Sequence, residues 1–364
     1  MEQKHGKIIG MAAVAALWLA LAVMAWCRPA EAFSTSERRE LAQFPTLNST
    51  SLLEGRFTSD FESYTLDQFP MRDGFRSLKA MVHYKALGQR DNNGIYLQDG
   101  HIAKLEYPLN EKAVDHALKV FQGIYDRYLQ DCRVYSAVIP DKSYYLAAEN
   151  GYPAMDYDAL FQKVEQGMSY ASYVNLKDLL TVDDYYRTDT HWRQERLLEV
   201  AKRLCGAMGA AQPGVYSSVQ AEQPFYGVYY GQAALPVEPD SLYTLENEML
   251  AGCRVYNYET GKYAPVYDAE KLTGEDPYEV FLSGPVSLLR LENPNAKTGK
   301  DLIVFRDSFG SSLVPLLAQG YDTITLIDVR YVSSALLSRF VEFGDQDVLF
   351  LYSTLVLNNG TTLN

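Results

Sequence analysis

Two short segments of this chain bring together a hydroxyl, an imidazole and a carboxylate of the kinds that acyl transfer uses. The first is LIVFRDSFG, residues 302–310. Leu302 to Phe305 is a four-residue apolar run that reads as a buried strand, and helical spacing resumes from Ser311 to Gln319. Ser308 therefore falls at the C-terminal edge of a strand, where open α/β folds bind their ligands. Backbone N–H groups of the turn after it would face a developing oxyanion, as they do at helix N-termini. The segment lacks G-x-S-x-G, but it follows the logic of a nucleophile elbow. Serine is also a favoured helix cap, and this segment alone supports either role.

A serine nucleophile needs a base. The chain has five histidines. His5 precedes an apolar run, His101 follows a turn glycine, His116 lies in a helical pattern, and His83 has no distinguishing context. His191 sits in RTDTHW, residues 187–192, just after a loop and at the expected start of a helix running to about Leu204. Asp189 lies two residues upstream. It can accept from one ring nitrogen and leave the other free to take the serine proton. A helix-capping Asp and a backbone-bonded His would explain the same residues. The complementary roles of the two segments favour a group made of Ser308, His191 and Asp189. Around it, the backbone of Ser308 and Phe309 supplies oxyanion donors, with Asp307 and Arg306 adjacent. Trp192, Arg330 and Tyr331 are the candidate substrate contacts, although Trp192 is equally suited to the core.

The elements that must carry these residues can be read from periodicity. Residues 33–90 are polar with helical spacing, as at Phe57, Phe61 and Tyr64. Residues 92–106 read as a hairpin around Gln98-Asp99-Gly100. A helix pattern covers 111–130, a buried strand runs from Val134 to Ile139, a helix from Asp158 to Gly167, and a strand from Tyr173 to Leu176. Residues 206–285, rich in Tyr, Gly and Pro, read as a β-rich insertion. Strands at Thr323 to Ile327 and Val348 to Tyr352 follow, with a helix between them ending at Arg339 to Phe343. Strand and helix in alternation imply right-handed crossovers and a parallel sheet.

The whole chain narrows the function classes. It has 364 residues, 47% of them hydrophobic, and a net charge of -13. With no basic cluster to neutralise phosphates, no nucleic-acid partner is expected. The 28 tyrosines suit stacking on sugars or simply fill strands and surface. Cys27, Cys132, Cys205 and Cys253 match no zinc or redox spacing. Cys205 and Cys253 could pair or remain buried thiols. No metal and no cofactor is expected.

Lys4 and Lys7 precede an uncharged run from Ile8 to Cys27, long enough to cross a bilayer. Their position predicts an N-in, C-out orientation, with membrane attachment through this segment. Ala30-Glu31-Ala32 resembles a signal-peptidase site. The expected division is a signal anchor or signal peptide over 1–32, a helical and extended segment over 33–90, and one α/β domain over 91–364. The large domain is expected outside the cytoplasm, anchored to the cell membrane or secreted after cleavage near Ala32.

The D-x-H-W pattern of residues 189–192 resembles that of the alginate O-acetyltransferases of the AlgJ and AlgX type. The wider chain is similar to the related DHHW family. SERRELAQFP (36–45), DQFPMRDGF (67–75), NNGIYL (92–97), RTDTHW (187–192), FRDSFGSSLVPLLA (305–318) and LIDVRYV (326–332) carry that likeness. It implies an SGNH-hydrolase-like α/β fold, a parallel sheet flanked by helices, with Asp189, His191 and Ser308 at the triad positions. The order is reversed relative to ordinary SGNH hydrolases. Thr190 stands where the DHHW pattern has a second His. Pro285 replaces an expected Asn in the loop 281–285, which puts a side-chain oxyanion donor from that loop in doubt. The implied activity is serine-dependent acetyl transfer to a polysaccharide acceptor through an acetyl-serine, with a membrane-bound acyltransferase as donor partner. An acetyl esterase using the same residues, and a non-catalytic glycan-binding or assembly protein of the cell envelope, are the alternatives.

Overall fold

Asp301–Arg306 is buried from Leu302 onward, with alternate side chains entering opposite faces of a sheet. Leu302 and Val304 pack into one apolar cluster, and Ile303 and Phe305 into another. A strand covered on both sides needs apolar residues at every position, which is why it reads as an unbroken run. Phe305 stacks on Phe350 of the neighbouring strand at 4.7 Å between ring centroids. Truncating either ring would cost about 3–5 kcal/mol.

The computed structural model describes residues 2–364, with side chains from residue 5 on, so that of Lys4 lies outside the described residues. The chain divides into two compact units. The larger comprises 93–229 and 237–364 and is built on an eight-stranded sheet. In chain order its strands are β1 (Arg133–Ile139), β2 (Ser172–Tyr173), β3 (Arg254–Asn257), β4 (Lys262–Ala264), β5 (Leu288–Glu292), β6 (Asp301–Arg306), β7 (Thr323–Ile327) and β8 (Asp347–Ser353). Across the sheet the order is β4-β3-β5-β7-β6-β8-β1-β2. The pairs from β7 through β2 are parallel, whereas β5, β3 and β4 join antiparallel at the other edge.

Helices Glu111–Tyr128 and Tyr157–Gly167 cover one face, and Leu198–Ala207 lies on the other. The fold is thus α/β with a largely parallel sheet, as expected. Segment 206–285 supplies β3 and β4 to the sheet's edge, a separate ribbon of Ser217–Gln220 with Tyr243–Glu246, and short helices. The hairpin Ile95–Gln98 with His101–Lys104 forms at the expected place. Its turn residues Asp99 and Gly100 both have positive φ, the geometry that favours Asp-Gly. All four cysteines are free thiols, so Cys205 and Cys253 are the buried unpaired alternative.

The smaller unit comprises 1–92 and 230–236. Its N-terminal helix, Glu2–Cys27, includes the stretch His5–Cys27 with mean hydropathy 2.4, apolar and long enough to span a membrane or serve as a signal sequence. Elsewhere in this unit, Asp67 pairs with Arg39 at 2.6 Å, and Glu37 pairs with Arg72 and with Arg76. These charges come from SERRELAQFP and DQFPMRDGF. Asp67 is pulled down to about 2, chiefly by its hydrogen bond from Arg39.

Candidate active site

The turn after β6 is tight. A β-carbon on Gly310 would lie 2.9 Å from the Arg306 β-carbon, so glycine lets the chain fold back over the strand end. The Gly310 N–H donates to the Asp307 carbonyl at 3.0 Å, and the Ser311 N–H to the Ser308 carbonyl at 3.1 Å. Phe309 occupies the cap position of helix Gly310–Leu313 and makes no side-chain cap. Ser308 does not cap this helix; its hydroxyl is engaged elsewhere.

His191 does not begin a helix. Tyr185 and Trp192 form an isolated antiparallel bridge, closing 186–191 into a loop. The Tyr186 N–H donates to the His191 carbonyl at 3.0 Å, and the Arg193 N–H to Asp184 at 2.8 Å. A short 3-10 turn at Gln194–Arg196 follows before helix Leu198–Ala207. The expected helix from His191 is therefore corrected to a closed loop. The backbone there is spent on the bridge, so the apolar spacing of Leu197, Ala201 and Leu204 reports only the later helix.

Within the loop, the His191 Nδ1–H donates to Asp189 Oδ1 at 2.6 Å, and the His191 backbone N–H reaches the same oxygen at 3.0 Å. With Nδ1 protonated, Nε2 accepts from the Ser308 hydroxyl at 2.8 Å. The three residues join in one hydrogen-bonded chain, with His191 and Ser308 117 positions apart in sequence. Asp189 is fully buried, His191 nearly so, and Ser308 is half-buried.

Residues 225–229 and Asp240 brace this loop, and nothing in the spacing of RTDTHW had pointed to them. The Val228 N–H donates to Asp189 Oδ2 at 2.8 Å, and the Gly227 N–H to the Thr188 hydroxyl at 3.0 Å. Asp240 accepts from the backbone N–H groups of Arg187 and Thr188, each at 2.8 Å, and from the Thr188 hydroxyl at 2.5 Å. Tyr278, also missed, stacks flat on the His191 ring at 3.8 Å between centroids. Its hydroxyl pairs with Ser312 at 2.8 Å. Phe309 lies 4.9 Å from the same imidazole at a tilt.

Other sequence-selected residues have structural work. Trp192 is fully buried. Its indole N–H donates to the Phe309 carbonyl and the Ser312 hydroxyl, both at 3.0 Å, so it registers the histidine loop against the serine turn and contacts no substrate space. The Phe309 N–H is taken by Asp307 Oδ1 at 3.0 Å, which removes it from the expected oxyanion donors. Asp307 Oδ2 accepts from the Ser353 N–H at 2.7 Å, tying the turn to the end of β8. The Ser308 N–H has no hydrogen-bond partner among the described residues and remains available. Arg306 is buried, 3.8 Å from Asp328, and burial lowers its pKa. Arg330 binds Asp328 through two nitrogens, at 2.9 and 2.6 Å, and Tyr331 is exposed beneath the Arg330 guanidinium. Among the described residues, the hydrogen bonds that Arg330 donates run to Asp328 and not to His191 or Ser308. Among the described residues, no cluster of His, Cys, Asp and Glu could hold a metal ion.

Comparison with known proteins follows the same lines. The family described as DHHW protein matches residues 159–327, a stretch that contains all three residues of the hydrogen-bonded chain, so the resemblance read from the sequence holds there. No curated protein matches the chain. Among solved structures, a DHHW family protein from Eubacterium siraeum DSM 15702 aligns with a TM-score of 0.61 and 20% identity, over 75% of this chain and 95% of its own. Bacillus cereus PatB1 aligns with a TM-score of 0.52 and 18% identity, over 73% of this chain and 97% of its own. A second PatB1 structure, carrying a sulfonyl adduct, gives 0.50 and 18%, over 72% and 97%. These likenesses establish a shared fold.

Proposed function

We propose that this chain is a serine-dependent acyl transferase that moves an acetyl group to a polysaccharide hydroxyl outside the cytoplasm. The observation that supports it is the continuous chain from Asp189 through His191 to Ser308. His191 Nε2 takes the hydroxyl proton as Ser308 Oγ attacks the acetyl carbonyl carbon. The charge that builds on the carbonyl oxygen is met by the Ser308 N–H. As the C–O bond to the donor breaks, His191 returns the proton to the leaving oxygen, and an acetyl-serine remains. An acceptor hydroxyl then gives its proton to His191 and attacks the same carbon, and Ser308 Oγ leaves with that proton. Asp189 holds the imidazole tautomer and stabilises its charged form. The N-terminal apolar helix supports attachment at a membrane, with the larger unit on the far side.

The test is incubation of the full-length chain in detergent with an aryl acetate, with and without polysaccharides. Release of the phenol together with acetylated glycan supports transfer. Release with acetate alone points to an esterase with the same residues. Tight glycan binding, with no release and no labelling of Ser308 by phenylmethanesulfonyl fluoride, would replace the enzyme with an envelope-binding protein. A reporter fused at residue 364 that is active only in the cytoplasm would overturn the topology.

A further inference from the structure

Lys142 is fully buried, and the chemistry above does not use it. It lies three residues past the end of β1, in the short helix Lys142–Leu146, and its side chain runs inward beneath the histidine loop. Its ammonium carries three protons and donates to three carbonyls: Ile102 of the hairpin, Tyr186 at 3.0 Å and Arg187 at 3.3 Å. The Tyr229 ring lies 5.0 Å away, on the segment that also braces Asp189. Lys142 has no ion-pair partner among the described residues.

Burying an ammonium without a bonded carboxylate is costly. A neutral side chain with two or three donors could hold the same carbonyls at lower cost. The buried charge acts on the ionisable groups within its field. The charged and titratable groups around it are Asp141 on its own helix, Asp189 in the histidine loop, the bracing Asp240 and His101 on the hairpin. The two carboxylates that build the loop, Asp189 from within and Asp240 from outside, are both stabilised by this cation.

We infer that Lys142 is the positioning residue of the Asp189–His191 pair: its ammonium fixes the backbone just before Asp189, and its charge balances the Asp189 and Asp240 carboxylates. The inference rests on the acyl-transfer reading of the site. Desolvation lowers the Lys142 pKa to about 7, with Asp189, Asp240 and Asp141 opposing it. The balancing charge is thus present on the acid side of neutrality and weakens above it.

Two variants separate charge from scaffold. Lys142→Met removes both the charge and the donors. Lys142→Gln removes the charge and keeps two N–H donors for the carbonyls. In the full-length protein, Lys142→Met should lower kcat/KM for an aryl acetate roughly 10- to 100-fold through misplacement of the base, with KM little changed. Because the Lys142 charge is lost as pH rises past about 7, wild type should show an alkaline decline in kcat/KM that both variants lack. Lys142→Gln should recover part of the rate while still lacking the alkaline decline. The same alkaline decline in either folded variant as in wild type would reduce Lys142 to a backbone staple and overturn the inference. Failure of both variants to fold would overturn it as well, because the residue would then serve folding. If the wild type cleaves no ester, the functional reading fails on its own. The charge coupling can still be read from the rate of Ser308 labelling by phenylmethanesulfonyl fluoride against pH, which should decline above about 7 in the wild type and not in the variants.

Discussion

The ring of Tyr278 lies parallel to that of His191, with 3.8 Å between centroids and 8° between planes. One face of the imidazole is thereby closed to water, and a tyrosine π-face favours the charged imidazole that forms when the ring takes a proton. Such contacts contribute about 0.5–2 kcal/mol. Tyr278→Leu should lower kcat/KM for an aryl acetate by about tenfold, equivalent to about 1.4 kcal/mol. Tyr278→Phe keeps the stack and loses only the hydroxyl contact with Ser312, so it should stay within a few-fold of wild type. Equal losses in the two variants would assign the effect to that hydroxyl.

Gly227 tests the bracing segment. A β-carbon there would lie 2.2 Å from the Asp189 β-carbon and 2.4 Å from its α-carbon. Its backbone does not have positive φ, so alanine is objectionable for contact alone. Gly227→Ala must push the Asp189 loop and weaken the Val228 N–H bond to the carboxylate. Turnover should fall at least tenfold, at a stability cost of roughly 1–3 kcal/mol for overpacking. Turnover and the rate of Ser308 sulfonylation should fall together; unchanged labelling would mean the loop tolerates the methyl group.

Much of this site was legible in the sequence, for identifiable reasons. The strand before Ser308 is buried on both faces, so its apolar run was unambiguous. Asp189 and His191 are two residues apart, so their pairing needed no knowledge of tertiary structure. Gly227, Val228, Asp240 and Tyr278 were invisible because they act through backbone N–H groups, close approach or ring stacking, none of which leaves a spacing pattern. Trp192 was ambiguous because an indole serves a substrate wall and a core equally well. Its donation to the Phe309 carbonyl decided the matter. Phe309 was misjudged as an oxyanion donor because Asp307, read as a neighbour of the nucleophile, folds back to occupy its N–H.

His101 makes a prediction about acid stability. The residue is buried, its Nδ1 has no hydrogen-bond partner, and its Nε2 lies 3.6 Å from Asp183. Burial, followed by the charge of Lys142, pushes its pKa down to about 4. In the unfolded chain a histidine charges near pH 6.5. The unfolded state therefore binds the proton first as pH falls. The stability contribution is whole above about 6.5, declines from there to about 4, and is level below. His101→Gln should flatten the urea-unfolding midpoint across that window relative to wild type, removing a slope worth on the order of 2–3 kcal/mol. Parallel curves for the two proteins would show that His101 stays accessible to protons in the folded chain.

The three residues of the hydrogen-bonded chain should fail in a characteristic order. Ser308→Ala removes the atom that becomes acylated, so acetyl release and sulfonyl labelling should both vanish. Ser308 caps no helix, and the change forfeits one hydrogen bond with His191, so the fold should lose no more than about 1 kcal/mol. His191→Ala should fall to a similar residual rate, on the order of four or more decades below wild type, because nucleophile and base act as a unit. Asp189→Asn should be less damaging than either, since Asp189 orients the base without taking its proton. It should still cost stability, because an amide presents one oxygen where the carboxylate serves His191 and Val228 with two. Steady-state hydrolysis of an aryl acetate, with thermal unfolding of each variant, measures all of this. Wild-type turnover in Ser308→Ala would place the reactive group elsewhere and dismantle the proposed mechanism.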